Sequence, residues 1–308
     1  MRYAILFPGQ GSQSIGMGAD MFAARPDLLG SAADEVLGWP LASLCEHGPE
    51  SELVRTDRAQ PALYAVSYAL WEAFAVRVSH APIAAAGHSL GEYTALAAAR
   101  AVDYMDGLRL VAARGRAMAL ATEQASGAMA AVMGADLDVV EQVVADMREE
   151  GSSIWVANIN APGQIVIAGS KDAVEALAKD ARGYGLRRVI RLNVAGAFHT
   201  PLMDPARQQL ENSLAGVDFH EGDFPIWTNL EAAPVDDTSS ALAGQLIGKV
   251  RFSESLTAMS AAGVEAFVHV GPGDVTATMA KRTVKGATVV TVSTLDDIAA
   301  AVEQLAVS

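Results

Sequence analysis

A five-residue corner constrains this chain more than any other feature. Gly87-His88-Ser89-Leu90-Gly91 follows the short apolar run Ile83–Ala86, which reads as a buried strand, and opens the helical pattern Leu90–Ala99. Glycines on both sides of a serine suit a sharp strand-to-helix turn that presents the hydroxyl at the end of a sheet. The three fixed positions recur by chance in roughly one chain in ten, taking Gly and Ser at about 7% each, so the strand-then-helix context carries the argument. It points to an α/β fold whose parallel sheet is covered on both faces.

The rest of the sequence extends that reading. Tyr3–Phe7 reads as another buried strand, ended by the glycine-rich turn Pro8-Gly9-Gln10-Gly11-Ser12-Gln13, and helical patterns cover Pro61–Val76 and Tyr104–Thr122. From Gly127 the texture changes to two βαβ-like units: strand 128–133, helix 137–148, strand 154–159, then strand 164–168, helix 171–182, strand 187–194. This is the element order of a ferredoxin-like unit. After Gly196 the alternation resumes with helix 205–214, strand 225–228, helix 253–261, strand 266–270 and a final strand–helix pair. The chain is therefore expected to leave a large domain, 1–126 with 196–308, once, for a small inserted subdomain, 127–195.

Composition excludes several function classes. With 308 residues, 51% hydrophobic and only 6% aromatic, the chain can bury a large core and favours close helix-on-sheet packing. A net charge of -14 opposes binding to nucleic acid or an anionic membrane. Cys45 is the only cysteine, so no intramolecular disulfide and no sulfur-rich metal site can form, and a reducing compartment is expected. No apolar stretch could span a bilayer and the first residues lack a signal-peptide core, so the expected location is the cytoplasm.

A serine hydroxyl needs a neighbouring base, and histidine has the pKa for it. Six histidines compete. His88 adjoins the serine on a tight turn and should point elsewhere; His269 lies in an apolar strand; His47, His80 and His220 sit in polar segments. His199 remains, in a glycine-containing loop directly after an expected strand, where a base and a structural histidine are equally good readings. Arg114 has a similar ambiguity. The helix leaving the corner descends about 15 Å at 1.5 Å per residue and the next climbs back, which returns Arg114 to the level of Ser89. A guanidinium there would bind a carboxylate through paired hydrogen bonds, whereas the plain alternative is a surface arginine on a helix that also carries Arg109 and Arg116. The first turn matches neither a dinucleotide fingerprint nor a Walker A loop. Its better use is to offer a backbone N–H to an oxyanion beside the N–H of Leu90.

Taken in order, Phe7-Pro8-Gly9-Gln10-Gly11-Ser12-Gln13, Gln60-Pro61-Ala62-Leu63, Gly87-His88-Ser89-Leu90-Gly91-Glu92-Tyr93, Arg114-Gly115, Asn158 to Gln164, Gly196-Ala197-Phe198-His199 and Val270-Gly271-Pro272-Gly273 closely resemble malonyl-CoA:acyl carrier protein transacylases over essentially the whole chain. The resemblance implies an α/β-hydrolase-like large domain with a ferredoxin-like insertion, and a ping-pong transfer of malonyl from CoA to the phosphopantetheine thiol of an acyl carrier protein. It implies Ser89 as nucleophile, His199 as base, the N–H groups of Gln10 and Leu90 as the oxyanion hole and Arg114 as the carboxylate holder. Gln60, Asn160 and Phe198 would line the pocket, and a main-chain carbonyl near Arg251 would orient the imidazole. No metal and no permanently bound cofactor is expected, and the chain is expected to act as a monomer. Leu90 and Phe198 look like the malonyl-selective pattern of related polyketide acyltransferases. Arg100 departs from the small residues that commonly end the helix after the nucleophile.

Carrier proteins are typically acidic, so docking on an acidic chain needs a local basic surface. Arg187-Arg188 with Arg191, and Lys281-Arg282 with Lys285, are the candidates; a solvated strand edge and helix end are the plain alternatives. Rival functions are a serine hydrolase or thioesterase on the same corner, a trans-acting polyketide acyltransferase with another extender unit, and an inactive docking module.

Overall fold

The computed structural model describes residues 1–194 and 196–306; residue 195, the last of the expected insertion, and residues 307–308 lie outside the described residues. The strands, in chain order, are β1 (Tyr3–Phe7), β2 (Ala84–Gly87), β3 (Gly127–Met133), β4 (Ile154–Ala161), β5 (Gln164–Ser170), β6 (Arg188–Arg191), β7 (Ile226–Trp227), β8 (Ala266–Val270) and β9 (Thr288–Val292). They form a parallel sheet of order β7-β2-β1-β8-β9 and an antiparallel sheet of order β4-β5-β3-β6. The fold is α/β, with an α/β-hydrolase-like parallel layer and a ferredoxin-like unit inserted into it.

β1 sits at the centre of the parallel sheet, with Leu6 opposite Ala86 on one side and His269 on the other. All five of its residues are buried, as a strand covered on both faces requires. The long helix Thr56–Ala75 packs on β8, and Tyr104–Gln124 packs against that helix. The first begins before the expected Pro61, which lies inside it. Five helices of four to seven residues fill Ala19 to Leu53, a region without a clear period in the sequence. One or two turns are too short for a 3.6-residue repeat to stand out. β6 and β7 are shorter than expected: Leu192 N–H still reaches Met129 O at 2.9 Å before the chain departs.

The antiparallel sheet is two-sided. Ala128, Ala130 and Val132 of β3, with Ile165 and Ile167 of β5, pack against helices Leu137–Glu149 and Lys171–Lys179 in a core of their own. The alternate residues Met129, Ala131 and Val166 face the other way, over the end of the parallel sheet. In β4 a bulge between Val156 and Asn158 shifts this alternation by one residue. Ile154 and Val156 precede it in the small core and Ile159 follows, so Asn158 and Asn160 both turn toward the parallel sheet. At the same place Val250 N–H donates to Ala157 O and Ile159 N–H to Val250 O, each at 2.8 Å, which pins the small sheet to the large layer.

Candidate active site

The corner at residues 87–91 has no room for side chains on its glycines. A Cβ on Gly87 would lie 1.8 Å from the carbonyl carbon of Gly91, and one on Gly91 would lie 2.4 Å from Phe7 O. Ser89 between them adopts φ 51, a left-handed conformation that costs energy in a non-glycine residue. Asn229, just after β7, holds the turn: its Oδ1 accepts from Ser89 N–H and its Nδ2 donates to Gly87 O, both at 2.6 Å. Helix Gly91–Ala98 starts directly behind, so its positive end faces the serine.

Ser89 Oγ lies 2.8 Å from His199 Nε2. His199 Nδ1 lies 2.8 Å from Gln245 O. A carbonyl can only accept, so Nδ1 carries the proton and Nε2 turns a lone pair to the serine hydroxyl. The ring is 4% exposed, and burial, reinforced by the Arg114 charge, pushes its pKa down to about 3, which keeps it neutral. Its loop is braced by Thr200, whose hydroxyl donates to Ala197 O at 2.7 Å.

The orienting carbonyl is that of Gln245 and not one at Arg251, which corrects the sequence expectation. Arg251 N–H donates to Asn229 O at 2.8 Å, its carbonyl accepts from Ser255, and its side chain pairs with Glu254. The physical reason is helix Thr238–Gln245, which periodicity did not reveal. A helix end leaves its last carbonyls without intrahelical partners, and His199 takes one of them.

Arg114 is 1% exposed and reaches the serine from helix Tyr104–Gln124. Its Nη2 donates to Ser89 Oγ at 3.0 Å and Gln245 Oε1 at 2.9 Å, and its Nη1 to Gln60 Oε1 at 2.6 Å. Its Cζ lies 5.5 Å over the Tyr93 ring. Nε is buried and, among the described residues, without a hydrogen-bond partner. Burial draws the guanidinium below its ordinary pKa, yet arginine stays charged in proteins. The site thus holds a buried cation with spare donors beside a serine oxygen.

These groups open onto a cavity of about 230 Å³. Gln10, Gln60, Leu90, Asn160 and Phe198 line it, with Met118, Met129, Val166 and Met279 as apolar wall. Among the described residues, the main-chain N–H groups of Gln10 and Leu90 donate to no protein acceptor. His88 also lines the cavity, and its Nε2 joins Asn160 Oδ1 at 2.8 Å and not the serine. A larger groove of about 810 Å³, along 219–226 and 234–239, contains none of these groups and is not the site. Among the described residues no three His, Cys, Asp or Glu side chains are grouped to hold a metal ion.

Three residues escaped the sequence reading. Gln245, Asn229 and Glu92 are buried; Glu92 accepts from the other two, and each of those bonds to the Ser89 main chain. Only Glu92 had a signal, as a charged residue in an otherwise apolar helix of eight residues. Of the basic candidates, Arg191 pairs with Glu175, and Arg282 donates to Gln164 Oε1 and Pro162 O, both at 3.0 Å, bridging the two sheets' layers. Arg187, Arg188, Lys281 and Lys285 are exposed.

Known proteins place this arrangement. The acyl transferase domain family matches residues 5–301. A malonyl CoA-acyl carrier protein transacylase of Bacillus subtilis is 40% identical, covering 99% of this chain and 97% of that protein. The structure of an acyl carrier protein S-malonyltransferase from Vibrio cholerae superposes with a TM-score of 0.92 at 38% identity, over 97% of this chain and 99% of that one. A malonyl-transacylase solved in complex with a type II polyketide acyl carrier protein gives 0.92 at 35% identity, over 99% and 100%. The chain belongs to the acyl transferase domain family, among the malonyl CoA-acyl carrier protein transacylases.

Proposed function

We propose that this chain moves a malonyl group from CoA to an acyl carrier protein through an ester on Ser89. Nε2 of His199 takes the Ser89 proton as Oγ attacks the thioester carbonyl. The N–H groups of Gln10 and Leu90 hold the oxyanion, and His199 returns the proton to the departing CoA sulfur. The carrier's phosphopantetheine thiol then gives its proton to His199 and attacks the ester carbonyl. Collapse releases the malonyl thioester, and the proton goes back to Ser89 Oγ. No metal or bound cofactor takes part in these steps.

The single observation that carries this reading is the Arg114 guanidinium, buried and 3.0 Å from Ser89 Oγ. In a malonyl group the carboxylate is one methylene from the reacting carbonyl, so it falls on that guanidinium. An uncharged acyl group would leave the cation without a partner, which opposes its transfer. Phe198 on the cavity wall favours the unbranched malonyl unit over α-substituted ones.

The same reading takes residues 1–126 with 196–308 as the catalytic domain and 127–195 as its insertion, with the protein acting as a cytoplasmic monomer. No described helix is long and apolar enough to cross a membrane. The carrier docks on the exposed Arg187, Arg188, Lys281 and Lys285, near cavity residues Leu192 and Met279.

The test is intact mass after incubation with malonyl-CoA. A lasting malonyl adduct, absent in Ser89→Ala and discharged by a holo carrier protein, is the expected result. Rapid release of free malonate would make the chain a hydrolase, and carrier binding without an adduct would make it a docking module.

A further inference from the structure

Glu92 has no part in the steps above, yet it is 2% exposed and does not line the cavity. Its Oε2 accepts from Gln245 Nε2 at 2.7 Å and from Asn229 N–H at 2.9 Å. Gln245 in turn touches all three reacting residues, His199 and Arg114 at their side chains and Ser89 at its main chain. Its main-chain oxygen holds His199, its Oε1 holds Arg114, and its Nε2 also donates to Ser89 O at 3.0 Å. Asn229 holds the serine turn from the other side. We infer that Glu92 is a positioning residue that sets the preference for carboxylated acyl groups, by fixing the Gln245 amide against Arg114. The inference rests on the acyl-transfer reading of the same site.

Donors and acceptors fix the amide's orientation. A primary amide can turn either end toward a neighbour, and here the two ends meet opposite demands. The Glu92 carboxylate and the Ser89 carbonyl are acceptors, so they require the NH2 end. Oε1 is then left facing Arg114, which has only donors to offer. A flipped amide would set NH2 against guanidinium N–H and push Arg114 away from the place where the carboxylate binds. Of the two acceptors that prevent this, the carboxylate is the stronger when ionised.

Other charged and titratable groups near Glu92 are Arg114 on helix Tyr104–Gln124, Tyr93 beside it and Glu231 after β7. Burial lifts the Glu92 carboxyl to about 7, against the pull of the Asn229 N–H, the Gln245 amide and the Arg114 charge. Its hold on the amide should therefore strengthen as pH rises through that value.

The test compares malonyl and acetyl transfer in Glu92→Ala, Glu92→Gln, Gln245→Met and the double variant Glu92→Ala with Gln245→Met, with thermal unfolding as a check on the fold. Glu92→Ala and Gln245→Met should each lower the malonyl-over-acetyl preference about tenfold. The double variant should be no worse than either single one, because both break the same link. Glu92→Gln keeps an acceptor of the same shape and should restore the preference at neutral pH, while removing its step near pH 7. Additive losses, or an unchanged preference in folded Glu92→Ala, overturn the inference. If Glu92→Ala does not fold, Glu92→Gln decides alone, and a retained pH step overturns it. A wild-type protein that forms no Ser89 adduct would instead sink the acyl-transfer reading, which separates the two failures.

Discussion

His199 Nδ1 bonds to Gln245 O, at the end of a helix, while its Nε2 faces Ser89 Oγ at the same distance of 2.8 Å. The ring is thus held between a carbonyl and a nucleophile, in the tautomer that a base needs, before any substrate arrives. Its burial has a consequence for stability. The folded chain keeps His199 neutral down to about pH 3, whereas the unfolded chain protonates it near its ordinary 6.5. His199 therefore contributes stability that is full above pH 6.5 and is lost as pH falls through 6.5 toward 3. His269, held at about 4, acts in the same direction. Glu92, raised from 4.5 to about 7, acts in the opposite sense, with its contribution full below 4.5 and lost as pH rises through 7. Thermal unfolding across this range should show His199→Gln losing less stability on acidification than the wild type; equal losses would place the ring's burial in error.

Arg114→Ala should lower malonyl transfer about 100-fold or more while acetyl transfer falls far less. Arg114→Lys should recover only part of the difference, since an ammonium lacks the planar fork that meets Gln60, Gln245 and a carboxylate together. Steady-state kinetics with both donors would check this. Equal losses with both would make the residue structural.

Gly91→Ala should fail to yield folded protein, because its Cβ would press to 2.4 Å on the carbonyl oxygen of Phe7 in the central strand. Gly216→Ala, whose nearest neighbour would be at 3.8 Å, is the matched control and should change stability by about 1 kcal/mol or less. Soluble yield and circular dichroism of the pair decide the point.

Much of this corner was legible in sequence because backbone geometry dictated its residues. Gly87 and Gly91 are forced by close approach, and the out-and-back path of two helices allowed Arg114 to return to Ser89 without deciding between that and a surface position. The ferredoxin-like order was legible because alternating apolar strands and longer helices repeat twice. What stayed hidden was side-chain work done at a distance in the chain. Gln245 and Asn229 are common polar residues in segments of weak pattern, and nothing local marks them as partners of Ser89. The error at Arg251 followed from missing helix Thr238–Gln245, which supplies the carbonyl.

Arg100 is the other departure that the structure explains. It adopts φ 59 after helix Gly91–Ala98, the left-handed position where glycine carries no penalty. Its exposed contact to Asp223, 3.6 Å away, offsets little. Arg100→Gly should raise stability by ~0.5–1 kcal/mol, the left-handed strain relieved less the entropy that glycine adds to the unfolded chain. Denaturant unfolding measures it, and a loss of stability would show that the arginine side chain matters more than its backbone.

The double-sided strand β3 has a consequence for how such an enzyme changes its diet. Met129 and Ala131 look onto the acyl space, while Ala128, Ala130 and Val132 anchor the ribbon to its own helices. Breadth of substrate and firmness of the roof are therefore written in interleaved letters. Editing every second residue can reshape what is admitted while leaving the roof where it is.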